Sequence, residues 1–205
     1  NIAPSWVVRN DPATDGSRGT GILFNALHTW PIMPINNADG TRTEFNRFPA
    51  DTGNIFAYAN WLNSAERIKN EDRDLNLVSN AYVDWKPIKG LSIKSSINAE
   101  FYQRNTEFFS PTNATNRINR PIPTNNEAIW NNRDEFNWLN ENIATYTNSI
   151  GNHNFSVLGV FSYQQFRIDR TRIRATDFPD DRLPVIQGAI NIDRGGTFDE
   201  VQEST

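Results

Sequence analysis

A ribbon of alternating residue types over positions 74–105 constrains the fold of this chain more than any other feature of its sequence. On one side of the alternation no residue is charged: Leu75, Leu77, Ser79, Ala81, Val83, Trp85, Leu91, Ile93, Ser95, Ile97, Ala99 and Phe101. Alternation with a period of two indicates β-strands. Each arm exceeds the common strand length of about 5–6 residues, and a tilted strand needs about 9–11 residues to cross a bilayer. The ribbon therefore predicts a hairpin of a membrane β-barrel.

The composition favours long hydrated loops over a conventional apolar core. Only 37% of the 205 residues are hydrophobic, and the mean hydropathy is -0.63. Asn, Thr and Ser carry much of the polarity, which fits external loops and the wet lumen of a barrel. No apolar run approaches the roughly 18–20 residues that a membrane helix needs. The net charge of -4 argues against a nucleic-acid partner.

The sequence contains no recognisable motif for catalysis or for binding a metal or cofactor. Cysteine is absent, which excludes disulfides and thiolate chemistry. The two histidines, His28 and His153, do not make a convincing metal site at this separation, and Asp180-Asp181 lacks the spacing of an EF-hand loop. We therefore expect no enzymatic activity, no cofactor and no metal. A basic stretch at 167–174 alternates with Ile and Thr, which predicts the outer end of a strand.

Two predicted hairpins, at residues 73–105 and 137–174, separate three long polar segments. These segments are predicted to be extracellular loops: residues 1–72, 106–136 and 175–205. Short helices are possible within the first loop, at residues 21–28 and 60–68. Both hairpin turns are short and every other connection is long. Outer-membrane barrels have this asymmetry, with short periplasmic turns and long external loops.

The first hairpin has a predicted register. Its two apolar faces coincide when Trp85 pairs with Leu91 and Val83 pairs with Ile93. This register requires an odd-numbered connection, which a type I turn finished by a left-handed Gly90 would supply.

The second hairpin is predicted around Gly151-Asn152, a pair that suits a two-residue type II′ turn. Such a turn places Ile150 opposite His153. The outer face of this hairpin is then Trp138, Ala144, Tyr146, Phe155, Val157, Phe161 and Tyr163. Asn142 and Asn148 also fall on this face, although amides are poor partners for lipid.

The alternation assigns side chains to the two sides of the barrel wall. Lipid-facing residues are expected to be Leu77, Val83, Trp85, Ile93, Ile97 and Phe101. Lumen-facing residues are expected to be Asn80, Tyr82, Asp84, Lys94, Asn98, Glu100 and Tyr102. Aromatic residues of the predicted loops are candidates for binding a ligand or a partner protein, or for packing the loops together: Trp30, Trp61, Trp130 and Phe136.

Several segments resemble a known family. NLVSNAYVDWKPIKGLSIKSSINAEF is similar to the barrel strands that follow a long external loop in SusC/RagA-type TonB-dependent transporters of the Bacteroidetes. PIMPINNADGTRTEFNRF resembles a loop upstream of those strands. NENIATYTNSIGNHNFSVLGVFSYQ and TDFPDDRLPVI resemble a later hairpin and the loop after it. The resemblance extends in order over residues 20–190.

The resemblance implies an outer-membrane importer of oligosaccharides or peptides that works with a SusD-like surface lipoprotein. TonB would act through a plug domain that is not in this chain, and the lumen-facing residues would lie against that plug. Complete transporters of this kind have plugged barrels of about 22 strands. The chain has no initiator Met, signal peptide or plug, and about four strands cannot close a barrel, so we expect it to be a barrel section.

A second class of protein is left open by the residues themselves. A secreted or surface-attached all-β carbohydrate-binding module would also contain long alternating strands. Such a module would have to bury its apolar strand faces against a second sheet and would be soluble without detergent. An enzyme is the weakest of the three hypotheses.

Overall fold

The computed structural model describes residues 1–10, 22–32, 34–46, 58–114 and 122–204. In chain order its elements are β1 (Ile2–Asn10), α1 (Ile22–His28), β2 (Phe45–Asn46), β3 (Tyr58–Ala59), α2 (Trp61–Arg67), β4 (Lys69–Trp85), β5 (Leu91–Ser110), β6 (Glu127–Ile150), β7 (His153–Thr176), a 3-10 turn (Ile186–Gly188), β8 (Asn191–Ile192) and β9 (Phe198–Ser204). Neither helix in these ranges has the length and apolar character needed to cross a bilayer.

Seven strands form one antiparallel sheet in the order β1-β4-β5-β6-β7, with β8 and β9 both pairing with β7. The four central strands are 17, 20, 24 and 24 residues long. They form the two hairpins predicted from the alternation, so the fold class, an all-β section of a barrel wall, is confirmed.

The predicted loop at residues 106–136 is strand at both of its ends, because β5 continues to Ser110 and β6 begins at Glu127. Over residues 131–135 both faces of the sheet carry polar side chains. A stretch of strand that is polar on both faces lacks the period-two alternation by which strands are recognised, although its backbone hydrogen bonds continue.

The other described strands lie in segments predicted to be loops, and β1 and β9 are the long ones among them. β1 lies within residues 1–72 and pairs with β4, and β9 lies within residues 175–205 and pairs with β7. The β1 sequence, IAPSWVVRN, is apolar on both sides and contains Pro4, whereas the β9 sequence, FDEVQES, is polar on both sides. Neither shows a period of two, so these strands form through pairing with a long neighbour. The turn signals at residues 11–16 and 51–53 lie outside the described residues.

Both predicted helices are present, and Asn60 organises the second one. Its side-chain Oδ1 accepts a hydrogen bond from the Leu62 backbone N–H (3.1 Å) and so caps α2. Its Nδ2 donates to the carbonyl oxygens of Ile35 (2.8 Å) and Thr43 (2.9 Å). Asn60 is fully buried. The side-chain amide of Asn60 therefore connects the start of α2 to the loop backbone at Ile35 and at Thr43.

The predicted register of the first hairpin is wrong by two residues. Trp85 lies opposite Ile93, and Val83 lies opposite Ser95. Leu91 does not pair with Trp85 because its N–H donates to the Ile88 carbonyl in the turn (3.1 Å), and Leu91 itself lies opposite Tyr146 of β6. An even shift leaves every side chain on its predicted face.

The second hairpin has the predicted register. Ile150 lies opposite His153, and Asn148 lies opposite Phe155. Gly151 has a φ of 63°, the left-handed conformation that a two-residue hairpin turn requires at this position.

Candidate functional site on the polar face of the sheet

Directly opposed residues of neighbouring strands share a face, so the register defines two faces. The apolar face contains Val83 and Ile97, and the polar face contains Asn98. From the turns to the row that joins Leu77, Phe101 and Phe136, no residue of β4, β5 or β6 on the apolar face is charged. On β7 the uncharged stretch ends one row earlier, because Arg167 lies opposite Phe136. This apolar band follows β5 from Leu91 to Phe101, about 33 Å along the strand and roughly 25 Å along the axis of a tilted barrel wall.

The apolar band is uncovered in the described part of the chain. The side chains of Val83 and Phe161 are 66% and 65% exposed, and that of Trp85 is 60% exposed. The soluble carbohydrate-binding module considered above would need a second layer over these residues. None of the described elements supplies one.

Polar residues inside the apolar band bond to each other. Ser95 Oγ donates to Asn142 Oδ1 (2.8 Å), and Asn142 Nδ2 donates to Asn140 Oδ1 (2.7 Å). Asn140 Nδ2 in turn donates to the Ser96 carbonyl oxygen (3.0 Å). The amides that fit lipid poorly when considered alone are therefore partly satisfied within the sheet.

On the polar face, the residues predicted to face the lumen form a continuous series across β4 and β5. Asp84 lies opposite Lys94, whose Nζ lies 5.0 Å from the centre of the Tyr82 ring. Asn80 Nδ2 donates to Asn98 Oδ1. Further out, Asn76 Nδ2 lies 3.5 Å from Glu100 Oε1, and the Tyr102 hydroxyl donates to Asp74 (3.3 Å). A shallow groove crosses this face, lined by Asn80, Asn98, Glu100, Asn137, Leu139 and Gln164.

Beyond the apolar band, the polar face carries an arginine ladder, which we define as Arg104, Arg133, Arg170 and Arg172. The first three lie directly opposite one another on β5, β6 and β7, and Arg172 lies one row further out on β7. The basic stretch at residues 167–174 was predicted to be the outer end of a strand, and it lies at the end of β7, which stops at Thr176. The sequence could not show that arginines of three strands converge, because that depends on register.

Carboxylates of β4 and β9 lie next to the arginines of the ladder on β5 and β7. Asp74 accepts from Arg104 at 2.7 and 3.1 Å and also contacts Arg9 at 2.5 Å. At the other end, Glu200 of β9 lies 3.9 Å from Arg170. Arg133, in the middle, contacts Glu135 of its own strand.

A clamp of hydrogen bonds ties together the two outer connections. Asn126, which is buried, donates to the Phe178 carbonyl (2.8 Å) and to Asp181 (2.8 Å), and accepts from the Phe178 N–H (2.7 Å). The other oxygen of Asp181 accepts from the backbone N–H (2.9 Å) and the hydroxyl (2.6 Å) of Thr112. Burial raises the pKa of Asp181, but the hydrogen bonds from Thr112 and Asn126 hold that pKa below its ordinary value.

The four candidate aromatic residues are not together in the described structure. Trp30 follows α1 and is half-exposed, and Trp61 begins α2. The prediction of loop positions for Trp130 and Phe136 is wrong, because both lie in β6 on the apolar face. Trp130 packs edge-on against Phe178, with 6.5 Å between ring centres.

The chain is similar to two curated proteins of Formosa agariphila. It is 32% identical over 160 residues to "TonB-dependent receptor P3", and the aligned region covers 77% of this chain and 15% of that protein. It is 29% identical over 151 residues to "TonB-dependent receptor P26", with 69% of this chain and 14% of that protein covered. The chain thus spans about a seventh of the length of these relatives. No protein-family model matches the chain.

Solved structures with a similar fold include two states of one assembly. The RagAB peptide importer in its closed-closed state superposes with a TM-score of 0.69 at 17% identity, covering 99% of this chain and 22% of that one. The open-open state gives a TM-score of 0.64 at the same identity and coverage. At this identity the likeness concerns the fold, and it includes nearly the whole sheet described above.

Proposed function

We propose a function for the whole protein from one premise: this chain is a section of the β-barrel of a SusC/RagA-type TonB-dependent receptor in the bacterial outer membrane. The whole protein is an outer-membrane nutrient importer. The observation that carries the proposal is the charge-free band on one face of four long paired strands, opposite a face lined with amides and charges. Such a wall separates lipid from a polar lumen.

The two faces have separate roles in this importer. The lipid tails cover the apolar band around Val83, Ile93 and Ile97. On the other face, Asn80, Asn98 and Glu100 line the lumen against a plug domain. Hydrogen bonds between β4 and β5 support a fixed polar surface at membrane depth.

The substrate is an oligosaccharide or a peptide, taken up with a SusD-like surface lipoprotein over the external end. The name of the solved peptide importer supports the peptide class, and the family resemblance supports both classes. Exposed aromatics of the external segments, Trp30 among them, are candidate contacts for the substrate or for the lipoprotein. Energy for transport comes from TonB through the plug.

Energised uptake tests the proposal. Deleting the whole gene should abolish uptake of one class of nutrient, and the intact gene should restore it. Collapsing the proton gradient with an uncoupler should stop uptake while leaving binding at the cell surface in place, because TonB is energised by that gradient. Uptake that continues at its full rate after the gradient has collapsed would exclude a TonB-coupled importer.

A further inference from the structure

The arginine ladder brings like charges together at considerable cost. Arg104, Arg133 and Arg170 are direct cross-strand neighbours, and like charges in that relation destabilise a sheet. The carboxylates compensate unevenly. Arg104 is held firmly by Asp74, whereas Glu200 lies at 3.9 Å from Arg170, beyond hydrogen-bonding distance.

In the described part of the chain, charge compensation is missing at Arg172, although Arg174, one row further out on the same face, pairs with Glu127 (2.9 Å) and Asp193 (2.6 Å). Among the described residues, Arg172 forms no ion pair, and the Nε atoms of Arg170 and Arg172 are shielded from solvent without a hydrogen-bond acceptor. A shielded donor of a charged group without an acceptor is unfavourable unless an oxygen is supplied from elsewhere. Guanidinium groups match the planar oxygens of carboxylates and related oxyanions, which they bind in pairs of hydrogen bonds.

The residues beside Arg172 provide further groups that can contact a bound ligand. Directly opposite it on the polar face lie the amide of Asn131 on one side and the ring of Phe198 on the other. Phe198 is 44% exposed. The row thus presents a cation, an amide and an exposed aromatic ring side by side.

The arginine ladder lies at the end of the sheet that a nutrient from outside would reach first. Arg104 lies three residues beyond Phe101, the last residue of the apolar band on β5, which is about 10 Å further along the strand. The ladder therefore lies past the bilayer, at the end of the sheet where the long connections gather. A nutrient that enters from outside meets this row before the membrane-level lumen.

We propose that the arginine ladder, and Arg172 above all, binds an anionic group of the imported nutrient, a carboxylate or a sulfate ester. This inference rests on the proposed importer function and specifies its substrate class. The competing partner is an acidic segment of the same protein folded into the lumen, and the experiment distinguishes the two.

The test uses the purified whole receptor and matched ligand pairs. The pairs are an oligo-aspartate peptide with its oligo-asparagine counterpart, an oligogalacturonate with its methyl ester, and a sulfated oligosaccharide with its desulfated form. The wild-type receptor should bind the acidic member of at least one pair about ten-fold or more tightly than the neutral member. The pair that responds identifies the source of the oxyanion.

Substitutions on the two faces of β7 provide matched controls. Arg172→Gln should remove most of the acidic preference, and Arg170→Gln should reduce it. Arg167→Gln should leave the preference unchanged, because Arg167 lies on the opposite face of the same strand and pairs with Asp169 (3.0 Å). Each variant is first checked for heat-modifiable migration of the folded barrel.

Three results would overturn the proposal. The first is equal binding of acidic and neutral members by the wild type, and the second is an equal effect of Arg172→Gln and Arg167→Gln. The third is a loss of thermal stability in Arg172→Gln with an unchanged preference, which would assign the arginine to a folded segment in the lumen. If uptake of neutral nutrients continues without any acidic preference, only this inference fails. If energised cells take up no nutrient, the importer function itself fails.

Discussion

Asn140 and Asn142 lie on the apolar face of the sheet, where an unpaired amide is costly in lipid. The structure explains how this face accommodates them, because Ser95, Asn142, Asn140 and the Ser96 carbonyl form one hydrogen-bonded chain. Sequence reasoning placed Asn142 on this face but could not find its partners. Asn140 lies two residues along the same strand, whereas Ser95 lies opposite Asn142 on β5, at a position that only the register fixes.

Two glycines of the turns differ in a way that can be measured. Gly90 has a φ of 90°, and a Cβ built there would lie 2.3 Å from the Thr147 carbonyl oxygen. Gly151 also has positive φ, at 63°, but a Cβ there meets nothing within 4 Å. In the whole receptor, Gly151→Ala should cost only the left-handed strain of about 1–2 kcal/mol. Gly90→Ala should cost distinctly more, since the backbone of β6 must also move.

Thermal unfolding of the barrel in detergent measures both substitutions. Equal shifts of the melting temperature for the two variants would show that the close approach of Gly90 to Thr147 contributes nothing.

Asp181 makes the outer clamp sensitive to acid. Its pKa is lowered in the folded protein, so it stabilises the clamp above the unfolded pKa of about 3.9 and loses that contribution as the pH falls through the folded value. We therefore expect the Thr112 amide, which donates to Asp181 at 2.9 Å, to lose protection in acid. Hydrogen exchange, corrected for its intrinsic pH dependence, measures this change.

The adjacent Asp180 provides a control for the clamp. Its side chain bonds to Arg182 within the same exposed turn, so Asp180→Asn should leave the Thr112 amide protected. Asp181→Asn should reduce that protection even at neutral pH, because its amide cannot replace both acceptor oxygens. Similar protection of Thr112 in the two variants would contradict the role of Asp181.

At the scale of the strand, the decisive property is which face a side chain occupies. The first hairpin shifts by two residues from its predicted register, yet every residue keeps its predicted face because side chains alternate with a period of two. Faces were therefore predictable from sequence, whereas pairing partners were not. The start of β6 could not be predicted either, because residues 131–135 are polar on both faces.

Adjacent positions of β5 test the assignment of the two faces. Ile97 lies in the apolar band and is 47% exposed, whereas Asn98 lies on the polar face and bonds to Asn80. Ile97→Arg should destabilise the whole receptor by about 2–4 kcal/mol, the cost of arginine near the bilayer midplane. Asn98→Arg should cost much less.

Reversible unfolding from lipid vesicles gives both free energies. Equal tolerance of arginine at the two positions would contradict the assignment of lipid to the apolar face.

At the scale of the molecule, the described sheet is open and one-sided. Its edge strands are β1 and, beyond β7, β8 and β9. The apolar band has no second layer among the described elements, with Val83 and Phe161 about two-thirds exposed. Unpaired edges and an uncovered apolar face both promote association in water. Stability of this section therefore depends on the rest of a barrel and on lipid.

Expressing the 205-residue chain alone tests this dependence. We expect it to aggregate in water, and to require detergent or denaturant to remain dispersed, because the open edges and the apolar band cannot be covered. Analytical ultracentrifugation without detergent measures the outcome. A folded, soluble monomer would favour the carbohydrate-binding module over the barrel section.

The two hairpins, the faces of their strands, the Gly151-Asn152 turn and the positions of both helices could be predicted from the sequence alone. These features depend on alternation, turn chemistry and capping, which act over a few neighbouring residues. Four features became visible only in the folded chain: the register of the first hairpin, the pairing of β1 and β9, the hydrogen-bonded chain at Asn142 and the convergence of arginines on the polar face. Each of these features depends on which residues of different strands lie side by side. The pattern of residues within one strand does not specify its pairing partners.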